Sequence, residues 1–508
     1  MATDQSSYEV DNGTIYCGLT TETGDSIPKF DSEFNFFKSP KTANNSDRRQ
    51  RKLRVKRRGT GLFAIALLAA VLHPGPAYAG EDEAVSEWNQ RAIAAIVNGT
   101  AAATPGVQFA PPVAFIHLAI VQGAVYDAVN AIKGGHDPYL NGLKAATSAS
   151  KGAAASTAAH HVLIGLVNQA PSPALTAGIK SAIKARLDTE YAGSLAEIPD
   201  GEAKTKGIEV GAAAAAAMLA KRVGDGRFTA GGFPVGSAAG EWRPLPQVAT
   251  EAVNDPNGWV RNVRPFTLPT PGYFQTSGPP LPLTSAQYTD DFNEVKAKGR
   301  ATGSTRDADQ TSLAIWSTRH PVPMLYEALR QVSDSKKLTI SEEARFYAMT
   351  SMAGADSLIN CWAEKARWSF WRPTTAIQLA ETDGNPDTAA DGAWNALLGV
   401  GPAPLFVPPY PDEPSGANCV FSGVMNSAKA FFGSDQAQFV IAGNGSTRPY
   451  SRFTDVIADM IEARILGGLH FRRADENGAL LGQAVANHVD RNFFNCRAPG
   501  QCKQEERE

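Results

Sequence analysis

The chain has 508 residues, 43% hydrophobic and 19% charged, so it is long enough and apolar enough to bury a sizeable core. A formal net charge of −3 and a pI near 6.3 give no general attraction to nucleic acid or to an anionic membrane surface. Nucleotide, zinc and dinucleotide motifs are absent, and the glycines from Gly231 to Gly236 lack a following Lys-Ser/Thr or a strand-to-helix context, so they read as loop.

The front end reads as a leader. Eight Lys/Arg lie between Arg48 and Arg58, an apolar run follows from Leu62 to Leu72, and Ala77-Tyr78-Ala79 offers a small-residue cleavage site. This predicts a signal peptide over 59–79, a mature chain starting near Gly80, and a secreted or periplasmic location. Residues 1–58 are polar and read as a disordered extension or a start placed too early. The apolar run falls short of the roughly 20 residues that span a bilayer, which predicts no stable membrane anchor.

From Gly80 onward the periodicity is helical. Phe115, Leu118, Val121, Val125, Ala128, Val129 and Ile132 recur at helical spacing, and further helices are predicted at 150–168, 172–192, 202–223, 286–298, 339–365, 417–432, 452–470 and 474–493. Alternating strand patterns are scarce, so the expected fold class is all-α. The Gly- and Pro-rich stretch 226–283 reads as a long ordered loop within it. Cys361 and Cys419 read as buried small apolar residues. Cys496 and Cys502 flank a short turn that suits a disulfide in an oxidising compartment.

Three fragments in the last third carry the chemistry. Lys365 and Arg372 lie seven residues apart, a spacing that would put both on one helix face about 10 Å apart along its axis. Pro373 places Arg372 at a helix end. Pro414-Ser415-Gly416, followed by an apolar run, looks like a turn feeding a helix with Ser415 near the N-cap and unpaired N–H groups at the positive end of the dipole. Arg464 brings a planar fork for oxyanion contacts, and His470 is the one strong nitrogen ligand or nucleophile of the set. Gly467-Gly468 between them reads as backbone left free to approach a ligand. Each fragment alone is ordinary; in this order they supply three fixed cations, a hydroxyl, backbone N–H groups and an imidazole, the makings of a pocket for phosphate or vanadate.

These fragments resemble the three signature motifs shared by vanadium-dependent haloperoxidases, bacterial nonspecific acid phosphatases and type 2 phosphatidic acid phosphatases. Glu87 to Gln90, Tyr126 to Ile132 and Trp371 to Ile377 resemble the secreted bacterial haloperoxidase-like branch. The resemblance implies two packed helical bundles, an N-terminal one over 80–300 and a catalytic one over 301–495. It implies that Lys365, Arg372, Ser415, Gly416 and Arg464 hold the equatorial oxygens of vanadate, and that His470 is its apical ligand. The expected reaction is oxidation of halide by hydrogen peroxide. Two alternatives are hydrolysis of a phosphomonoester through a phospho-His470 intermediate, with phosphate as the guest, and a non-catalytic anion-binding homologue. The family places a histidine directly after Ser-Gly, and here that residue is Ala417. General acid–base help is typically worth about 10²–10⁴-fold, so its loss implies slow turnover with anion binding retained. His320, Asp412 and Glu413 are the candidate substitutes, and Trp371 and Tyr410 the candidate aromatic neighbours.

Overall fold

The structure is a computed structural model that describes residues 81–497 apart from short gaps at 101, 172–174, 249–250, 253, 276–277 and 400–406, together with a two-residue strand pair at Val10–Asp11 and Thr14–Ile15. The predicted leader and most of the N-terminal extension therefore lie outside the described residues, as does Cys502. Cys496 is disulfide-bonded, and Cys361 and Cys419 are free and buried. By contact the chain divides into Met1–His73 and Pro74–Glu508, and the helical fold belongs to the second unit.

The first half runs α1 (Ala84–Val97), α2 (Pro111–Lys133), α3 (Lys151–Gln169), α4 (Ala177–Ala196) and α5 (Glu202–Lys221). The axis of this bundle is α2, started by Pro111 and Pro112, whose missing N–H groups cost nothing at a helix N-terminus. It is apolar on every side and almost wholly buried, as a helix surrounded by others must be. Packed around it are α1, α3, α5 and part of α9.

The second half runs α6 (Ala286–Lys298), α7 (Ala308–Trp316), α8 (Pro321–Lys336), α9 (Ile340–Trp368), α10 (Pro373–Gln378), α11 (Gly416–Phe432), α12 (Phe453–Leu466) and α13 (Arg472–Asn492). The longest of these, α9, starts with a capping box in which Thr339 and Glu342 satisfy each other's backbone N–H groups. It touches α2 of the first bundle and also α11 and α13 of the second. The fold is thus all-α bundles, with a short antiparallel pair, Pro246–Val248 with Glu251–Ala252, and a longer hairpin, Gln436–Ala442 with Thr447–Arg452, that the sequence reading passed over. Its first strand does alternate exposed and buried residues, but it is short and sits between two strong helical patterns.

The Gly/Pro-rich stretch is an ordered strap. Asp356 on α9, fully buried, accepts hydrogen bonds from the backbone N–H of Phe266 (2.7 Å), Thr267 (2.7 Å) and Leu268 (3.2 Å), and from the Thr267 hydroxyl (2.6 Å). Asn360, one turn further on, bonds both backbone groups of Phe274. Arg222 donates to the carbonyls of Arg264 and Pro265 and lies over the Phe266 ring. Near its middle the strap pairs with the segment after α9: Trp242 N–H donates to Ser369 O (2.7 Å) and Trp371 N–H to Gly240 O (2.9 Å). A loop without a core of its own thereby fixes the residue just before Arg372.

Candidate oxyanion site

Lys365 lies in the last turn of α9, but Arg372 is not on the same helix. The helix ends at Trp368, Ser369 takes a left-handed conformation (φ 41°), and Arg372 in extended conformation is the N-cap of α10. The expected shared face is corrected: Ser369 reverses the chain before Pro373 opens a new helix. The two cations still meet. Lys365 Nζ donates to Pro411 O (2.7 Å) and Asp412 O (2.9 Å), and Arg372 donates from Nε to Tyr410 O (2.7 Å) and from Nη1 to Leu469 O (2.8 Å). Both charges also lie 4.8 Å from the centre of the Tyr410 ring, within cation–π range.

Ser415 is the N-cap of α11 as expected, yet its hydroxyl makes no capping bond. Instead Asn418 Nδ2 approaches its Oγ at 3.3 Å, and the Ser415 N–H donates to Ala474 O (2.8 Å) at the start of α13. The first N–H groups of α11, beginning with Gly416, have no partner within the helix. Small residues allow this docking: a Cβ on Gly478 would stand 2.6 Å from Ser415 O, and one on Gly482 2.2 Å from Cys419 O. Gly467 and Gly468 serve packing rather than ligand approach, because a Cβ on Gly468 would stand 2.5 Å from Gly299 O and one on Gly467 2.6 Å from Leu398.

Arg464, in the last turn of α12, and His470, just after it, complete the cluster. Exposure is 0% for Lys365 and Ser415, 1% for Arg372 and His470, and 9% for Arg464, so the site is enclosed. Several polar atoms inside it are unpartnered: Arg372 Nη2, Arg464 Nε, both ring nitrogens of His470 and both carboxylate oxygens of Asp412. His470 Nδ1 stands 2.8 Å from Asp412 Oδ1, off the line of a hydrogen bond. Burial, reinforced by Arg372, Lys365 and Arg464, holds the His470 imidazole well below its usual pKa, and burial pushes the Asp412 carboxyl up to about 8. Both groups are therefore driven toward their neutral forms, and their contact is not a charge pair. A neutral imidazole facing cations with spare donors is the donor set that an oxyanion with one nitrogen ligand needs, so the residues present fit vanadate.

The substitute candidates separate cleanly. His320 caps α8, its Nδ1 accepting from Val322 N–H and its Nε2 lying 3.2 Å from Phe109 O, so it is a structural cap away from the site. Glu413 turns to Asn477 and, with Phe370, Phe471, Asp291 and Arg473, lines a small dent in the surface. Asp412 stays in the site. Ala417 is partly exposed at the second position of α11. Sequence reasoning missed Asp475 and Asn418, both buried beside Ser415 and bonded to each other at 2.7 Å. The only available signal was an acidic residue in the first turn of a helix, which is also the ordinary complement of the helix dipole.

Residues 345–496 match the family described as the VCPO second helical-bundle domain, a span that contains every site residue named above. Over this span the chain resembles the second helical bundle of the vanadium-dependent haloperoxidases. A vanadium chloroperoxidase from Curvularia inaequalis is 24% identical over 209 residues, 34% of this chain, and the match spans about a third (33%) of that relative. The crystal structure of a bacterial vanadium-dependent iodoperoxidase superposes with a TM-score of 0.64 at 20% identity, covering 82% of this chain and 98% of the other. A holo-type bacterial vanadium-dependent chloroperoxidase gives 0.59 at 16%, covering 82% and 96%. At these identities the superpositions show that the superfamily's bundle fold extends through most of the chain.

Buried acids govern the expected pH response of the fold. Burial is the main cause of raised values for Asp127 (about 7), Glu343 (about 7), Glu413 (about 7) and Asp412 (about 8). A carboxyl whose folded pKa exceeds its unfolded one binds its proton more tightly when folded, so its stabilisation is lost as pH rises through the folded value. His117, His320 and His470, with lowered values, act only below about pH 6.5, the ordinary imidazole range. Between about pH 6.5 and 8 the carboxyls dominate. The urea midpoint is expected to fall across that window, and a midpoint that rises there would contradict the assignment.

Proposed function

We propose that this protein is an exported haloperoxidase-like enzyme that holds vanadate at His470 and oxidises halide with hydrogen peroxide, at a rate limited by the alanine at 417. The observation that carries the reading is that Lys365, Arg372 and Arg464 are buried around His470, with Ser415 beside Asp475 of the same cluster and an unpartnered donor on each arginine. The superfamily relatives named above, each a vanadium peroxidase by description, support it, and the basic run before Leu62 supports export.

When bound, vanadate supplies the Lewis acidity that activates peroxide. The chain's own part is positioning and charge. Arg372 and Arg464 each have an N–H without a partner that would bond an oxygen of the guest, while carbonyls and the Tyr410 ring hold Lys365 and Arg372 so that little ordering entropy remains to be lost on binding. His470 is kept neutral and so keeps a lone pair for the metal. Enclosure strengthens each of these contacts by excluding water.

Orthovanadate tests the reading. On protein recovered from periplasm or culture fluid, vanadate at 100 times its Kd is expected to stabilise the fold by about 2.7 kcal/mol, seen as a rise in Tm that His470→Ala abolishes. Slow peroxide-dependent halide oxidation should accompany binding. Absence of any thermal shift, or hydrolysis of an aryl phosphate outpacing halide oxidation, would sink the proposal.

A further inference from the structure

We propose that Asp475 makes this site selective for oxyanions that carry a proton, by sharing a hydrogen bond with the O–H of a protonated vanadate- or phosphate-like guest that sulfate cannot supply. The inference rests on the oxyanion-site reading and adds to it a specificity residue. Asp475, in the first turn of α13, is fully buried. Its Oδ1 accepts from Asn418 Nδ2, while its Oδ2 lies beside the Ser415 hydroxyl without a well-formed hydrogen bond. The groups that face it come from every element of the cluster: Ser415, Asn418 and Cys419 on α11, Arg464 on α12, Arg372 at the head of α10, and Asp412 before Pro414. It therefore stands among the residues that would hold the guest, next to the Ser415 hydroxyl.

A site built for a bare polyanion has no use for carboxyl groups, yet here Asp412 and Asp475 stand among the three cations. The chemistry of the pair resolves this. A carboxyl oxygen and an oxyanion oxygen repel unless one proton lies between them, and then they form a short, strong bond. Vanadate and phosphate keep a proton at mildly alkaline pH and bring it with them; sulfate has none, and its binding requires Asp475 to take one up from solvent. Burial moves the Asp475 carboxyl above its ordinary range, in the direction that favours holding a proton inside the pair.

The test compares inorganic phosphate with sulfate by calorimetry at pH 9, where both are dianions of similar shape that differ by one hydrogen. Lys365 affects both guests alike and cancels in the ratio, and Asp412, a second carboxyl that can favour the protonated guest, is kept in wild type and variant so that the change between them belongs to Asp475. Wild type is expected to prefer phosphate by roughly tenfold to 10²-fold, the usual penalty for leaving a buried polar group unpaired. Asp475→Asn, whose amide bonds either guest, should bring the ratio close to one mainly by tightening sulfate. A wild-type ratio near one overturns the proposal, as does a variant that weakens both guests equally, because that is what a purely structural residue would do. If the variant does not fold, the wild-type ratio decides alone. If wild type binds phosphate, vanadate and sulfate not at all, the oxyanion reading itself fails and takes this inference with it.

Discussion

Ala417→His is expected to raise peroxide-dependent halide oxidation by roughly 10²-fold or more, the usual gain from a general acid–base group placed beside its substrate. Position 417 is the second residue of α11, one after Gly416 and two after the N-cap Ser415, so a side chain there leaves the helix start close to the guest. It is also partly exposed, which leaves room for a larger side chain that a fully packed position would refuse. The gain should appear in kcat with vanadate affinity little changed, because the cations and His470 are untouched. If wild type is already fast and the variant no faster, another group carries the proton, and Asp412, 2.8 Å from His470, is the one to replace next. An assay in which neither form turns over favours a binding protein over an enzyme.

Asp356→Ala is expected to destabilise the fold by about 3–5 kcal/mol, because each buried donor left without an acceptor costs roughly 1–3 kcal/mol. Three backbone N–H groups and the Thr267 hydroxyl would lose their acceptor at once, inside a region where water does not replace it. The measurement is the urea midpoint, with Asp356→Asn as the comparison. The amide keeps the volume and one acceptor oxygen but points N–H groups at N–H groups, so it should fall between wild type and alanine. The effect should reach the site too, because the same strap pairs with Ser369 and Trp371 on the way to Arg372. A midpoint unchanged in the alanine variant would show that the strap is held by Arg222 and Asn360 alone.

The sequence was most legible where a local signal repeats over many residues. The helices α2 to α6, α9 and α11 to α13 announce themselves through apolar spacing, whereas α7, α8 and α10 were passed over, and Ser415 at a helix start is written in Pro-Ser-Gly followed by an apolar run. What stayed hidden depends on single residues or on distant partners. A single left-handed residue, Ser369, splits the expected Lys365–Arg372 helix, and serine has no special propensity for that conformation. Gly468 was read as making room for a ligand when its neighbour is Gly299, 169 positions earlier in the chain (468 − 299). His320 sits before a proline-started helix and caps it, a role that only the fold separates from pocket lining. Asp475 was invisible because its importance comes from facing α11, which no spacing within α13 reveals.

The pairing of α2 with α9 has a consequence during synthesis. Lys133 and Ile340 are 207 positions apart (340 − 133), so at about 5–20 residues per second α2 waits roughly 10–40 s for the helix that covers one of its faces. Its earlier partners α3 and α5 arrive sooner and shield other faces. By length and composition α2 would also suit a bilayer, with a mean hydropathy of 1.5 over its most apolar window, and it is the only such helix among the described residues. While α9 is still unmade, therefore, the nascent chain presents a segment that membrane-insertion machinery could accept as a span.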